Sequence, residues 1–426
     1  MTYHRASGLD HRSVGKSASF FSASRHPDQG RGAAELTHPA RLAPAALLAA
    51  MLAACLAPGP PPPSVTPSAT ATATTPARFR LRLCNEAPVR LPGPPGAQQS
   101  RGCVATFTQA LSDPETIRAL AADKVERRYL VYAPANLPAK PAPVVLVFPG
   151  YAASAEAAAF YYTQTRFETL ADRDGFIVVY GNGLPNPPNP REKPAMPKGG
   201  FLQGCLAGHA GEGIDVKYVR EILARLEAEL PIDRARIYAT GLSAGGGMSF
   251  QLAIEAPDLV AAIAPVAALP FQPRGPWLHA CHARPGHDRI SIAMLAATDD
   301  PFISYGPGGS REYPAAQYPG MEATRDAWLA ALGLEGPPEL DTFPDVVDGD
   351  SYQPQTGRAG STIERQRYRP GPDGRELWYY KAVGMGHWWP NPTQSWSGLW
   401  ERFGKTNQDI DFADHAWAFF RRHAKR

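Results

Sequence analysis

Short, almost entirely apolar runs separated by helix-like segments are the feature that most restricts how this chain can fold. The runs 142–150 (APVVLVFPG) and 176–183 (FIVVYGNG) are typical of strands that are buried on both faces of a sheet. Residues 155–175 and 215–232 instead place apolar side chains at helical spacing. Strands that alternate with helices predict an α/β fold with a mostly parallel central sheet and helices on both faces.

The same pattern continues along the chain and ends near the C-terminus. Gly175 is the predicted cap at the end of the first helix, and Asp215 is the predicted N-cap of the second. Further strands are predicted at 127–135, 235–241, 260–268, 290–300, 361–370 and 376–383, and further helices at 245–258 and 411–423.

The first 80 residues are predicted to lie outside this folded domain. The apolar run 42–55 is too short to span a bilayer and resembles the core of a secretion signal. It ends in LAAC, which resembles a bacterial lipobox with Cys55 as the lipidated mature N-terminus. We therefore predict a leader and signal over 1–55, a disordered Pro/Ala/Ser/Thr-rich linker over 56–80, and one large α/β domain over 81–426. An ordinary signal peptide of a secreted protein, or an uncleaved anchor, is the alternative to a cell-envelope lipoprotein.

The charge balance argues against a polyanionic partner. The chain has 43 Lys and Arg against 40 Asp and Glu, and the two classes are equal in number once the first 54 residues are removed. No stretch of the sequence forms a basic stripe, so nucleic-acid binding is not expected.

Four cysteines follow Cys55, and an even number in an exported chain predicts two disulfides. We predict a Cys84–Cys103 bond, which closes a short loop in an N-terminal extension with little core of its own. We also predict a Cys205–Cys281 bond, which pins a Pro- and Gly-rich excursion to the loop before a later strand.

The stretch ATGLSAGGGMSF places one serine between glycines, directly after a predicted strand and before a predicted helix. It matches the nucleophile elbow G-x-S-x-G, in which a serine occupies a sharp, strained turn. Residues two positions away on either side must be small there, and Gly241 and Gly245 meet this need. Ser243 is therefore the candidate nucleophile.

A serine hydroxyl needs a base to take its proton and a carboxylate to orient that base. In this architecture the chain order is serine, acid, histidine. Asp299 and Asp300 end the strand that follows the elbow region, and His387 lies in a glycine-rich loop after a late strand. Loops at the carboxyl ends of parallel strands are where ligands bind in open α/β sheets.

Other histidines offer weaker alternatives. His279, His282 and His287 precede the aspartates, and their stretch HACHARPGH is either a metal site or a surface loop with Cys281 in a disulfide. His415 and His423 belong to the last helical stretch and are expected to face solvent.

An oxyanion hole needs two preorganised N–H donors. One is expected from the amide of Ala244, which follows the nucleophile. The other is expected from Tyr151, in the loop after the strand 142–148.

Seven motifs that occur in order along residues 125–423 resemble the secreted polyhydroxybutyrate depolymerases and feruloyl esterases of the α/β-hydrolase fold. They are VVLVFPG, DRDGFIVVY, GIDVKYVREIL, RIYATGLSAGGGM, ATDDPFISY, GMGHWWP and QDIDFADHAWAFF. The resemblance implies hydrolysis of short hydroxyacid esters or ester-linked aromatic acids, without a metal or other cofactor. It also implies Asp300 as the acid, because the family pattern follows the acid with Pro and a short apolar pair. The family usually has His-Gly where this chain has Pro149-Gly150.

We therefore predict a serine esterase that acts on small or oligomeric carboxylic esters through a Ser243–His387–Asp300 triad. Trp388 and Trp389 are candidate substrate-binding residues, because aromatic side chains stack on phenolic acids or line apolar acyl pockets. A peptidase with the same triad and a catalytically silent binding lipoprotein are the alternatives. The sequence makes no prediction of oligomeric state.

Overall fold

The chain divides into two units, Met1–Thr74 and Thr75–Arg426, and every residue described below belongs to the second. No helix in this described part is both long and apolar enough to cross a membrane. The signal, lipobox and linker predictions fall outside it. The computed structural model describes residues 81–86, 89–90, 101–112, 117, 122–135, 137, 139–151, 153–184, 213–270, 287–345, 360–371, 373–392 and 400–425.

Eleven strands of the described residues form one sheet, in the order β1-β2-β3-β5-β4-β6-β7-β8-β11-β10-β9. The six strands from β5 to β11 in this order are parallel, and the strands outside them pair antiparallel. The strands are β1 (Val89–Arg90), β2 (Arg101–Ala110), β3 (Lys124–Tyr132), β4 (Ala142–Phe148), β5 (Ile177–Gly181), β6 (Ile232–Leu242), β7 (Ala262–Val266), β8 (Ser291–Ala297), β9 (Glu339–Thr342), β10 (Thr362–Tyr368) and β11 (Leu377–Val383).

The predicted mostly parallel central sheet is confirmed by this pairing. Helices lie in the described connections from β4 to β5, from β5 to β6, from β6 to β7 and from β8 to β9, as is usual for crossovers between parallel strands. The helices are α1 (Ala155–Ala157), a π-helix (Ala158–Tyr162), α2 (Arg166–Asp174), α3 (Ile214–Glu227), α4 (Ala244–Glu255), a 3₁₀ turn (His287–Arg289), α5 (Met321–Leu332), α6 (Trp400–Phe403) and α7 (Phe412–Phe420).

Alternate residues of the central strands feed two separate hydrophobic cores. In β4, Leu146 packs in one core with α3, α4 and α5, whereas Val147 packs in the other with α2 and α7. Every residue of β4 is buried, which explains why its sequence is a continuous apolar run rather than an alternating one. The predicted helices on both faces are thus confirmed.

Asp215 does not cap α3, contrary to the prediction. Gly213 takes the N-cap position, and Asp215 lies in the first turn, where its carboxylate accepts a hydrogen bond of 2.7 Å from Arg127. Both side chains are fully buried, and the Arg127 guanidinium also stacks on the Tyr218 ring. The acidic side chain therefore fixes α3 against β3, because a buried carboxylate needs a charged partner.

The single helix predicted over 155–175 is interrupted. The π-helix follows α1 directly, and Gln164 and Thr165 then take left-handed backbone angles before α2 begins. The Thr163 hydroxyl donates to backbone oxygens of the π-helix. Gly175 ends α2 in the left-handed conformation, so its predicted role as a cap is confirmed.

Beneath this interruption, Glu168 is a buried carboxyl in the apolar core. Its Oε2 accepts a hydrogen bond of 2.9 Å from the Tyr180 hydroxyl, and its Oε1 has no hydrogen-bond partner among the residues that the structure describes. Burial raises the pKa of Glu168 to about 8.

We expect this carboxyl to make the folded state less stable as pH rises. A raised pKa contributes stability that is present below the unfolded value of 4.5 and is lost as pH rises through about 8. The maximum slope is about 1.4 kcal/mol per pH unit. Glu168→Gln keeps an acceptor for Tyr180 but cannot ionise, so its free energy of unfolding should fall less than the wild type's between these pH values. Urea unfolding of both proteins across this range measures the difference, and parallel curves would contradict the prediction.

The Cys84–Cys103 disulfide is present, with the two Cα atoms 5.4 Å apart. Cys103 lies in β2 and pairs with Val131 of β3, so the bond ties the segment before β1 to the antiparallel side of the sheet. Cys205 and Cys281 lie outside the described residues, and their pairing remains a prediction.

Candidate active site

Ser243 occupies the turn between β6 and α4, as predicted. Its backbone has φ 57° and ψ −120°, a strained conformation for any residue with a Cβ. The turn is fixed on both sides, because the Ser243 amide donates to Val266 O at 2.9 Å and the Ser243 carbonyl accepts from Gly247 N–H at 2.9 Å.

The glycines beside Ser243 are required by close contact between backbones. A Cβ on Gly241 would lie 2.4 Å from the Phe148 carbonyl oxygen, and one on Gly245 would lie 2.0 Å from the same atom. Neither clash can be relieved by moving a side chain. The expectation that small residues flank the serine is therefore confirmed. They are required because the backbone at the end of β4 packs directly against this turn.

Asp300 and His387 form a buried hydrogen-bonded pair. Asp300 Oδ2 lies 2.7 Å from His387 Nδ1, and the two residues are only 7% and 6% exposed. The other carboxylate oxygen, Oδ1, accepts the amides of Phe302 at 2.8 Å and Ile303 at 2.9 Å. Because the carboxylate accepts a hydrogen bond from Nδ1–H, the ring proton stays on Nδ1 and Nε2 is left as the basic nitrogen of the ring.

Asp299, the other candidate acid, faces a different environment. It is exposed, and its Oδ1 accepts the Thr298 hydroxyl at 2.9 Å. Its amide donates to Met385 O at 3.0 Å. This bond joins the end of β8 to the loop that carries His387.

The histidine loop is held by close backbone contacts with residues 403–405. His387 N–H donates to Phe403 O at 2.6 Å. A Cβ on Gly386 would lie 2.1 Å from the same oxygen. The glycine-rich character of the loop therefore reflects the packing that fixes the imidazole.

The three candidate residues share one edge of the sheet. Ser243, Asp300 and His387 follow the carboxyl ends of β6, β8 and β11, which lie in the parallel block with only β7 intervening. Hydrogen bonds link the strand ends in turn, from Ser243 N to Val266 O and from Ala267 N to Leu295 O. The structure thus pairs Asp300 with His387 and places Ser243 at the same edge.

The predicted oxyanion donors flank the nucleophile. Ala244 is the first residue of α4. Tyr151 lies in a turn in which Ala153 N–H donates to Gly150 O at 3.2 Å. The position that a Cβ would take on Gly150 is 3.6 Å from Ser243 Cβ, so this loop passes directly against the nucleophile turn.

The two tryptophans after His387 are buried, which corrects the prediction that they form a substrate surface. Trp389 is fully buried and packs against Phe167 and Phe412 in the core. Trp388 is 6% exposed, and its indole N–H donates to Gly404 O at 2.8 Å. Both side chains pack on the protein-interior side of the loop that carries His387. The sequence pattern did not show whether they face the interior or the solvent.

The aromatic residues that do surround the histidine were missed. The ring centroid of Phe302 lies 5.0 Å from that of His387 and 5.1 Å from that of Phe403. The ring centroid of Tyr313 lies 6.3 Å from that of Phe302, and Tyr313 is 52% exposed. The position of Phe302, two residues after the acid, was the available signal.

The other histidines do not form a second site in the described part of the chain. No cluster there could hold a metal ion, and His279 and His282 lie outside it. His423 is buried against Phe419, and the ring of His415 packs on Phe343 and Tyr380. The expectation that His423 faces solvent was wrong, because the end of α7 packs against the sheet.

Comparison with known families agrees with this geometry. The family model described as esterase PHB depolymerase matches residues 127–273. That segment includes Ser243 and the loop at Tyr151 but ends before Asp300 and His387. The resemblance predicted from the sequence is therefore confirmed, and so is the α/β-hydrolase fold that it implied.

Similarity to individual proteins is partial. A bifunctional acetylxylan esterase/xylanase from Neocallimastix patriciarum is 30% identical over 135 residues, which are 32% of this chain and 17% of that protein. Poly(3-hydroxyalkanoate) depolymerase C from Paucimonas lemoignei is 29% identical over 145 residues, 33% of this chain and 31% of that protein. The chain thus matches less than a third of the length of either relative. Among solved structures, an acetyl xylan esterase from Aspergillus awamori has a TM-score of 0.41 at 15% identity, over 66% of this chain and 94% of that one.

Proposed function

We propose that the protein is a serine esterase that hydrolyses carboxylic esters with Ser243 as nucleophile, His387 as base and Asp300 as the orienting acid. The observation that carries the proposal is the buried Asp300–His387 pair at the same sheet edge as the strained Ser243 turn. A carboxylate that fixes one imidazole nitrogen leaves the other free to take the serine proton.

In this proposal the reaction proceeds through an acyl-enzyme. Ser243 Oγ attacks the ester carbonyl carbon while its proton passes to His387 Nε2. The carbonyl oxygen becomes an oxyanion that the amides of Tyr151 and Ala244 stabilise. Collapse expels the alcohol, which takes the proton from His387, and water then hydrolyses the acyl-enzyme by the same steps.

The aromatic side chains beside His387 favour esters with an apolar or aromatic portion. The ring of Phe302 packs beside the His387 ring and against the Phe403 ring, and Tyr151 and Tyr313 are 63% and 52% exposed. We propose hydroxyalkanoate oligomers or feruloyl and other aryl esters as the substrate class. The names of the similar depolymerase and of the feruloyl esterases among the relatives support this choice.

The proposal is tested with p-nitrophenyl esters of graded acyl length, methyl ferulate and hydroxybutyrate oligomers, together with matched peptide p-nitroanilides. A fluorophosphonate probe should label the protein, and tryptic mapping should place the label on Ser243. Faster cleavage of the anilides than of the esters would indicate a peptidase. Absence of both turnover and labelling would indicate a silent binding protein.

We further propose that the protein is exported and anchored to a bacterial cell envelope through lipid on Cys55. The LAAC motif supports this, and the Pro- and Thr-rich stretch that follows gives the domain reach from a membrane. In the native host, Cys55→Ser should release the domain into the soluble fraction or block its processing. A wild-type protein found free in the medium, with a mature N-terminus beyond Cys55, would show a plain secretion signal instead.

A further inference from the structure

Tyr162 brings a hydroxyl to the nucleophile turn that the triad and the two amides do not account for. The position that a Cβ would take on Gly150 is 3.5 Å from the Tyr162 hydroxyl oxygen and 3.6 Å from Ser243 Cβ. The hydroxyl and the nucleophile therefore face the same side of Gly150. The ring itself is half-buried and packs against the core that includes α2 and α7.

The Tyr162 hydroxyl lies against the loop that carries the predicted oxyanion donor. Its oxygen is 3.5 Å from the position that a Cβ would take on Gly150. The Gly150 carbonyl accepts a hydrogen bond from Ala153 N–H, and Tyr151 is the next residue. Burial raises the pKa of Tyr162 to about 12, although its interaction with the Gly150 backbone acts to lower this pKa, so the hydroxyl stays protonated at neutral pH.

The π-helix determines where this hydroxyl lies. Tyr162 is its last residue, and the Thr163 amide donates to Ala158 O at 3.0 Å, five residues back. One extra residue in a helical turn rotates everything after it by about 100°. Tyr162 ends this π turn with its hydroxyl next to Gly150, and the left-handed residues Gln164 and Thr165 follow before α2 begins.

We propose that Tyr162 is a positioning residue of the oxyanion hole. Its hydroxyl holds the Gly150 backbone, and through it the orientation of the Tyr151 amide, against the site where the carbonyl oxygen of a bound ester acquires negative charge. The proposal rests on the esterase function proposed above. A donor that is already oriented stabilises the oxyanion without a cost of reorganisation, so the hydroxyl acts on the chemical step rather than on substrate affinity.

The test is Tyr162→Phe, which removes only the oxygen and keeps the ring that packs in the core. We expect kcat for p-nitrophenyl butyrate to fall by about tenfold or more, since an oriented donor in such sites contributes more than this, with KM little changed. The rate of fluorophosphonate labelling at Ser243 should fall in parallel, because phosphonylation uses the same hole. The matched control is Tyr132→Phe, which removes a hydroxyl from the same core, where its partner is Asp172.

The outcomes separate this inference from the proposed function. A wild-type protein that hydrolyses esters, with a Tyr162→Phe variant that matches its kcat, would overturn the inference alone. A Tyr162→Phe variant whose loss is confined to a higher KM would also overturn the inference. So would a Tyr132→Phe variant that loses as much kcat as Tyr162→Phe and whose melting temperature falls by the same amount. A wild-type protein without esterase activity would overturn both.

Discussion

Ser243→Ala should lower kcat/KM for a p-nitrophenyl ester by about 10⁶-fold, the loss found when the nucleophile of such a triad is removed. The residual rate would come from binding and the oxyanion hole alone. The fold should persist, because alanine has the same Cβ as serine at this strained backbone and the Ser243 side chain caps no backbone group of α4.

The matched control is Ser249→Ala in the same helix. The Ser249 hydroxyl is buried and donates to Gly245 O at 3.1 Å within its own helix, so its removal should leave both turnover and fluorophosphonate labelling intact. Retention of more than about one per cent of activity in Ser243→Ala would be far above the residual expected without a nucleophile. That result would place the nucleophile elsewhere.

The strands and the serine turn were predictable because the residue types that they require can be recognised in the sequence itself. Strands buried on both faces need continuous apolar runs, and β4 and β5 are such runs. The clash of a Cβ at Gly245 with the end of β4 leaves no choice but glycine. A glycine that is required by backbone contact can be recognised in the sequence, even though the sequence does not show which strand makes the contact.

The errors in prediction arose where the deciding contact is distant along the chain. Asp215 is a residue type that suits an N-cap, and only the buried partner Arg127, contributed by β3, shows that it forms an ion pair instead. The helix predicted over 155–175 is interrupted by the π-helix and by the left-handed residues Gln164 and Thr165, which the spacing of its apolar residues does not show. Trp389 is identical in type to Trp388, and the packing of Phe412 decides that it belongs to the core.

The choice of acid was predicted from the family resemblance rather than from chemistry. Two adjacent aspartates follow β8, and only the Pro and short apolar pair of the family pattern indicated Asp300. The backbone turn after β8 separates them, because it presents two amides to Asp300 Oδ1 and leaves Oδ2 for the imidazole. The carboxylate is thus fixed before any substrate binds, which is what a positioning acid requires.

Asp300→Asn should therefore lower kcat by about 10⁴-fold, as an amide in this position does in serine hydrolases of this kind. The Asn oxygen can still accept the amides of Phe302 and Ile303, so its NH₂ group is left facing His387 Nδ1. An NH₂ group donates a hydrogen bond, so Nδ1 must act as the acceptor and the ring proton moves to Nε2. A protonated Nε2 can no longer receive the proton of the serine hydroxyl. Asp299→Asn is the matched control, because Asp299 is exposed and, within the described residues, its carboxylate accepts a hydrogen bond from the Thr298 hydroxyl rather than from His387. Its kcat should stay close to the wild-type value, and a larger loss in Asp299→Asn than in Asp300→Asn, with both proteins folded, would show that Asp299 is the acid.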